Sequence, residues 1–139
     1  MYYSFMAEAK KIVRAVLKTI GYNVIDYTND NELYPLIKFG YCHESNYPNK
    51  THKAKMVFLT IDVWSDKRGS IEVMDISHSI SSLLENYNND NTDSKYKIVS
   101  TSISGVDVLE EEFKLNKSNK NVRLFHGIIP IQILIMEVC

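Results

Sequence analysis

Very little in this chain suggests metal, thiol or phosphate chemistry. Only two cysteines occur, Cys42 and Cys139, far apart in sequence. No CxxC or HxxxH spacing is present to hold zinc. The five glycines are scattered, so there is no glycine-rich phosphate loop, and no G-x-S-x-G occurs. Charge of one sign is also missing. A formal net charge of −1 gives no reason to expect a duplex-DNA binder, which usually carries a strongly basic patch. No run approaches the roughly 18 apolar residues of a membrane span, and the greasiest stretch, 127–139, is interrupted by Pro130, Gln132 and Glu137. The opening Met1-Tyr2-Tyr3-Ser4-Phe5 has neither a basic nor an apolar leader region, so no signal peptide is expected. The two cysteines then read as free thiols in a reducing cytoplasm.

What remains is a composition fit for folding. With 139 residues, 45% hydrophobic and 24% charged, the chain is expected to form one domain, 1–139, that buries a core without staples. The clearest pattern runs from Val57 to Leu84. Val57, Leu59, Ile61 and Val63 alternate with Phe58, Thr60, Asp62 and Trp64, the period of a strand with one buried face. A charged turn (Asp66 to Gly69) follows. Ser70 is then placed to cap a helix whose Val73, Ile76, Ile80, Leu83, Leu84 and Tyr87 fall at helical spacing. A first helix is expected over 4–20, capped by Ser4, stopped by Gly21 and striped by Phe5, Ala9, Ile12, Val13, Val16 and Ile20. Its Lys10, Lys11, Arg14 and Lys18 form either a solvated face or a contact with acidic neighbours in an assembly.

Strands are expected at 22–27, 36–42, 97–103, 106–115 and 122–139, the last one interrupted near Gly127 or Pro130. Val106, Val108 and Leu109 are expected to face inward. Polar loops are expected at 44–55 and 86–94, with a polar turn at 114–121 joining the last two strands as a hairpin. The last strand is apolar on both faces (Ile128, Ile129, Ile131, Ile133, Leu134, Ile135, Met136), whereas a half-wet antiparallel strand should alternate. Burial within the protomer and burial in a subunit interface are both open readings. The fold class is α+β, a mostly antiparallel sheet with two amphipathic helices packed on one face.

Candidate chemistry is thin. Cys42 and His43 are neighbours on a strand and point to opposite faces. His78 lies off the apolar stripe of its helix, and His126 reads as a sheet residue near a bulge. Glu110 and Glu112 share a strand face that Glu111 leaves, too few ligands for calcium. They read as a solvated acidic edge. In an assembly they are candidates to meet the basic stripe of the first helix, or the lysines of the 114–121 turn, on a neighbouring subunit. No catalytic, metal or cofactor residue is assigned.

Several segments follow one another in a telling order. A leading helix comes first, then Val24-Ile25-Asp26-Tyr27, then Leu33-Tyr34-Pro35-Leu36-Ile37-Lys38-Phe39-Gly40. Ile61-Asp62-Val63-Trp64-Ser65 follows, and then the helix from Ser70 to Leu84. This succession, over residues 1 to 87, resembles the tail-completion proteins of long-tailed bacteriophages, also called tail terminators or tail-to-head joining proteins. The resemblance implies a non-enzymatic virion protein, assembled in the host cytoplasm. It would form a ring, commonly a hexamer, at the head-proximal end of the tail tube. That ring would end tube polymerisation, join the tail tube protein to the head connector or stopper, and let DNA pass through its lumen without specific binding. On this reading Ile129, Ile131, Ile133, Ile135, Glu110, Glu112 and Lys114 are candidate subunit-interface residues, with one edge of the Val57–Trp64 strand as a second patch. Tyr47, Lys50, His52, Asn89, Lys117 and Lys120 are candidate contacts to tube or connector. The rival readings are another neck component, such as a head-closure protein, and a small cytoplasmic α+β ligand-binding module.

Overall fold

The computed structural model describes residues 4–22, 24–26, 34–48, 53–87, 95–114 and 121–137. Helix α1 spans Phe5–Thr19. The Ser4 hydroxyl accepts from the Ala7 amide at 3.3 Å, satisfying one of the orphan donors of the first turn. At the other end the Gly21 amide donates to the Lys18 carbonyl and the Tyr22 amide to the Leu17 carbonyl, with Gly21 at φ +91°. This is the paired-bond stop that a left-handed glycine permits. The buried stripe is Phe5, Ala9, Val13 and Leu17. Ile20, expected inside, is 44% exposed, because the chain turns out of the helix at that residue and Leu17 takes the inward position.

The sheet has six strands: β1 (Val24–Ile25), β2 (Leu36–Tyr47), β3 (Ala54–Ser65), β4 (Tyr96–Ile103), β5 (Asp107–Lys114) and β6 (Asn121–Glu137). The spatial order is β1-β2-β3-β6-β4, with β5 also on β6. Every pairing is antiparallel except β1 with β2, which is parallel. β3 is central, flanked by β2 and β6, so it has no free edge to offer a neighbour, and the expectation that one of its edges forms a subunit patch is corrected. The loop expected over 44–55 is also corrected, since β2 continues to Tyr47 and β3 starts at Ala54.

Two bulges set the faces. Phe39 pairs with Ile61 but Cys42 pairs with Leu59, so Gly40 and Tyr41 together oppose Thr60. A side chain at Gly40 would run into Asp62 and Thr60. The extra residue shifts the alternation, which brings Cys42 to the face of Phe39 and turns Tyr41 and His43 outward. A second shift lies between Ile98 and Ser100, and it brings Thr101 inward rather than Ser100. β6 runs without a break, contrary to the interruption expected near Gly127 or Pro130. β5 pairs with it up to Ile128 and β4 from Ile131 onward. Pro130 therefore sits between the two ladders, where one edge of the strand has no partner among the described residues, and its missing N–H is tolerated. Val106 and Leu109 are 38% and 37% exposed, not inward as expected.

Helix α2 spans Ile71–Leu84. Ser70 holds the cap position but its side chain makes no capping bond; its hydroxyl lies 3.8 Å from the Met74 sulfur instead. The helix start is fixed from the strand side. The Ser65 hydroxyl, fully buried, donates to Glu72 at 2.8 Å, and Lys67 pairs with the other Glu72 oxygen at 2.7 Å. At the far end the Thr101 hydroxyl donates to the Leu84 carbonyl and accepts from the Tyr87 amide. The core gathers α1, α2 and one alternating set of strand residues, among them Val57, Leu59, Ile61, Val63, Ile129, Ile131, Ile133 and Ile135.

Candidate assembly surfaces

The four candidate interface isoleucines, Ile129, Ile131, Ile133 and Ile135, are at most 1% exposed within the isolated protomer. They belong to the same buried cluster as the apolar residues of α1 and α2. That placement corrects the reading of them as subunit contacts, since they have no surface left to offer. The physical reason is strand alternation. In β6 the odd positions face the core, while Ile128, Pro130, Leu134 and Met136 on the opposite face are half-buried and Gln132 is exposed. Tyr47 closes β2 as a strand residue paired with Ala54, and is 43% exposed. Lys114 ends β5 opposite Asn121. Lys50, His52, Asn89, Lys117 and Lys120 lie outside the described residues.

Glu110 and Glu112 are exposed on one face of β5, and Arg123 of β6 reaches Glu110 at 3.6 Å. Glu111 turns to the other face, where it comes within 3.4 Å of His126 Nδ1, while Asp62 lies 3.2 Å from Nε2. The His126 ring, 8% exposed, stacks on Trp64 at 3.7 Å between centroids and 10° between planes. Residue 126 is thus no bulge residue. It lies beside Asp62 and Trp64 of β3 and Glu111 in the middle of β5, at the point where β6 leaves β3: Ser65 pairs with Phe125, and residues 121–124 continue as a hairpin with β5 alone. Sequence reasoning missed this cluster. The available signal was Asp62 and Trp64 in outward positions of an otherwise apolar strand. Trp64 covers one face of the imidazole, and among the described residues no group of three His, Cys, Asp or Glu side chains could hold a metal ion.

A groove of about 470 Å³ lies between α1 and β2, lined by Met6, Ala7, Lys10, Lys11, Arg14, Asp26 and Cys42. Lys10 pairs with Asp26 at 3.2 Å and Lys11 with Glu8 at 3.7 Å. Lys10 and Arg14 both lie 5.6 Å from the centre of the Phe39 ring, within cation–π range. Arg14 Nε is buried and has no hydrogen-bond partner among the described residues. The Cys42 thiol is pushed above its ordinary pKa, first by burial and then by Asp26 and Glu44, with Lys10 opposing. It is a poor nucleophile at neutral pH. On the outward face a smaller hollow of about 240 Å³ is lined by Tyr41, Phe58, Thr60, Ser102, Pro130 and Gln132 among others, beside the stacked Tyr41 and His43 rings. It gathers no charged group.

No family model and no curated protein matches the sequence. The fold does have a solved counterpart. A chain of the structure described as the virion of native gene transfer agent (GTA) particle superposes with a TM-score of 0.65 at 14% identity. The correspondence covers 96% of this chain and 95% of that one. The two share a fold. The match spans both helices and the whole sheet, so it is the complete architecture that recurs and not one supersecondary unit.

Proposed function

We propose that this chain is a structural component of a phage-like virion, forming a ring at the head-proximal end of the tail tube that ends tube growth and joins tail to head connector. The observation that carries this reading is the near end-to-end fold correspondence with a chain of a virion particle. The order of the leading helix, the Pro35 strand, Val63-Trp64-Ser65 and the second helix supports the narrower assignment to tail completion. The structure supplies a reason for two of those residues to recur: Trp64 covers His126 where the hairpin departs, and Ser65 anchors the start of α2.

On this reading both helices cover the same face of the sheet. Ile37, Val63 and Gly127 are aligned cross-strand neighbours, Phe39 lies under the cations of α1, and a side chain at Gly127 would meet α2. The partners are other copies of the chain, the tube protein and the connector. No cofactor and no catalysis are called for. Negative-stain microscopy tests the proposal. Rings of the purified protein, or density capping one end of assembled tubes, are expected, and tubes grown without the protein should lose their uniform length. A protein that never caps a tube end and leaves tube length unchanged would overturn it.

A further inference from the structure

We propose that the groove between α1 and β2 receives strand β5 of a second copy of this chain, in a head-to-tail contact that extends the sheet from one protomer to the next. The inference rests on the ring reading above and adds which two surfaces meet.

Three observations lead to it. First, β1 pairs with β2 only as far as Lys38. Beyond that, from Phe39 to Tyr47, no strand among the described residues lies on this edge of β2, and the groove opens at that point, with Asp26 and Cys42 in its lining. An unpaired strand edge is a template for another strand. Second, the groove is basic and unfinished: Lys10, Lys11 and Arg14 line it, and Arg14 Nε is buried without an acceptor among the described residues. Third, the other side of the sheet offers the complement. β5 is eight residues long and pairs with β6 on one edge. Among the described residues its other edge is also open, and it carries the exposed Glu110 and Glu112.

The faces agree. Glu110 is the cross-strand neighbour of Phe125, two residues from Gly127, which lies against Val73 and Ser77 of α2. Glu110 and Glu112 therefore stand on the α2 side of the sheet. Rotation about a ring axis keeps the same sheet face inward in every copy. A β5 laid along the open edge of β2 would then present both carboxylates on the α1 side, toward Lys11 and Arg14. Neither surface can pair with itself, since groove against groove and β5 against β5 set like charges together. The contact is therefore heterologous, the kind that closes rings.

Charge reversal tests this. K11E/R14E reverses the groove and E110K/E112K reverses the strand. Sedimentation at low salt, or occupancy of tube ends where rings form only on tubes, is the readout, and thermal melts confirm folding. K11E/R14Q replaces the first variant should R14E not fold. Each variant alone should associate at least about tenfold more weakly than the natural protein. An equimolar mixture of the two should recover association, because each then meets the opposite charge, and the fourfold variant should recover it alone. At 1 M salt, where charges are screened beyond about 3 Å, the natural protein should also weaken. Association that ignores both reversals, or folded variants whose mixture stays apart, would overturn the contact while rings on tubes left the virion role standing. Absence of any ring or capped tube end would instead remove the reading beneath it.

Discussion

The two faces of β6 are built from almost the same residue types, yet they live in different surroundings. Ile129, Ile131, Ile133 and Ile135 have essentially no exposure, while Ile128, Leu134 and Met136, each one position away from them, are half-open. Composition does not separate them; alternation and neighbours do. The inward set lies against Val57, Leu59 and Ile61 of β3 and shares one buried cluster with apolar residues of the helices. The outward set neighbours Met56, Phe58 and Thr60, with serines of β4 across from Gln132 and Leu134. A strand that is greasy on both sides therefore supplies a finished core on one and surface on the other. Only the second face is open to a partner.

The largest expected effect breaks this contrast directly. Ile133→Ala empties a fully buried position and should cost about 2–5 kcal/mol of unfolding free energy. Leu134→Ala, one residue on, should cost clearly less, because its site is half-open and can refill with solvent. Urea midpoints at constant slope measure both. Equal losses would mean that the outward face is as tightly packed as the inward one.

The inward face has one position where packing is closer than any side chain allows. A Cβ on Gly127 would stand 2.8 Å from Val73 Cγ1 and nearer still to Ser77 Oγ. Gly127→Ala should cost about 1–3 kcal/mol by overpacking. Ser77→Ala removes the nearer atom, a buried hydroxyl that lacks a partner among the described residues, and should be close to neutral alone. The double variant should then recover part of the loss, a coupling that a double-mutant cycle reads. Thr101→Val should cost about 1–3 kcal/mol, because the Leu84 carbonyl and the Tyr87 amide both lose the hydroxyl that served them. Thr101→Ser should keep most of that stability.

These positions also show what the sequence could and could not reveal. Ser4 and Gly21 bracket α1 as their chemistry demands, alternation marked β3, and the polar turn between two long strands marked the β5–β6 hairpin. The isoleucines of β6 were legible as buried, but not on which side of the protomer boundary, because period-two patterning counts faces and does not identify what covers them. The bulges were illegible. A two-against-one pairing such as Gly40 and Tyr41 against Thr60 depends on the partner strand, and it decides that Cys42 faces α1 and that Thr101 reaches α2. The basic stripe of α1 was visible, whereas the open edge of β2 beside it required the topology. The His126 cluster needed residues from three strands in register, which no local pattern carries.

The smallest expected effect concerns where the central strand hands over to α2. Lys67 and then Ser65 hold the Glu72 carboxyl below the usual carboxylate range through hydrogen bonds. A carboxylate with a depressed folded pKa binds its proton less tightly in the folded state than in the unfolded one. Its contribution is therefore complete above the ordinary glutamate pKa of about 4.3 and is lost as pH falls below it toward the folded value. Glu72→Gln should accordingly lower stability near neutral pH, and the gap to the natural protein should close on acidification through that window. Lys67→Gln should do less, since its ammonium is largely in water and exposed pairs contribute little. Ser65→Ala should do more than Lys67→Gln, because it empties a fully buried hydrogen-bonding position. That ranking would place the anchor of α2 on the buried strand end and not on the charged turn. The reverse ranking would place it on the turn, making the handover from sheet to helix a surface feature instead of an extension of the core.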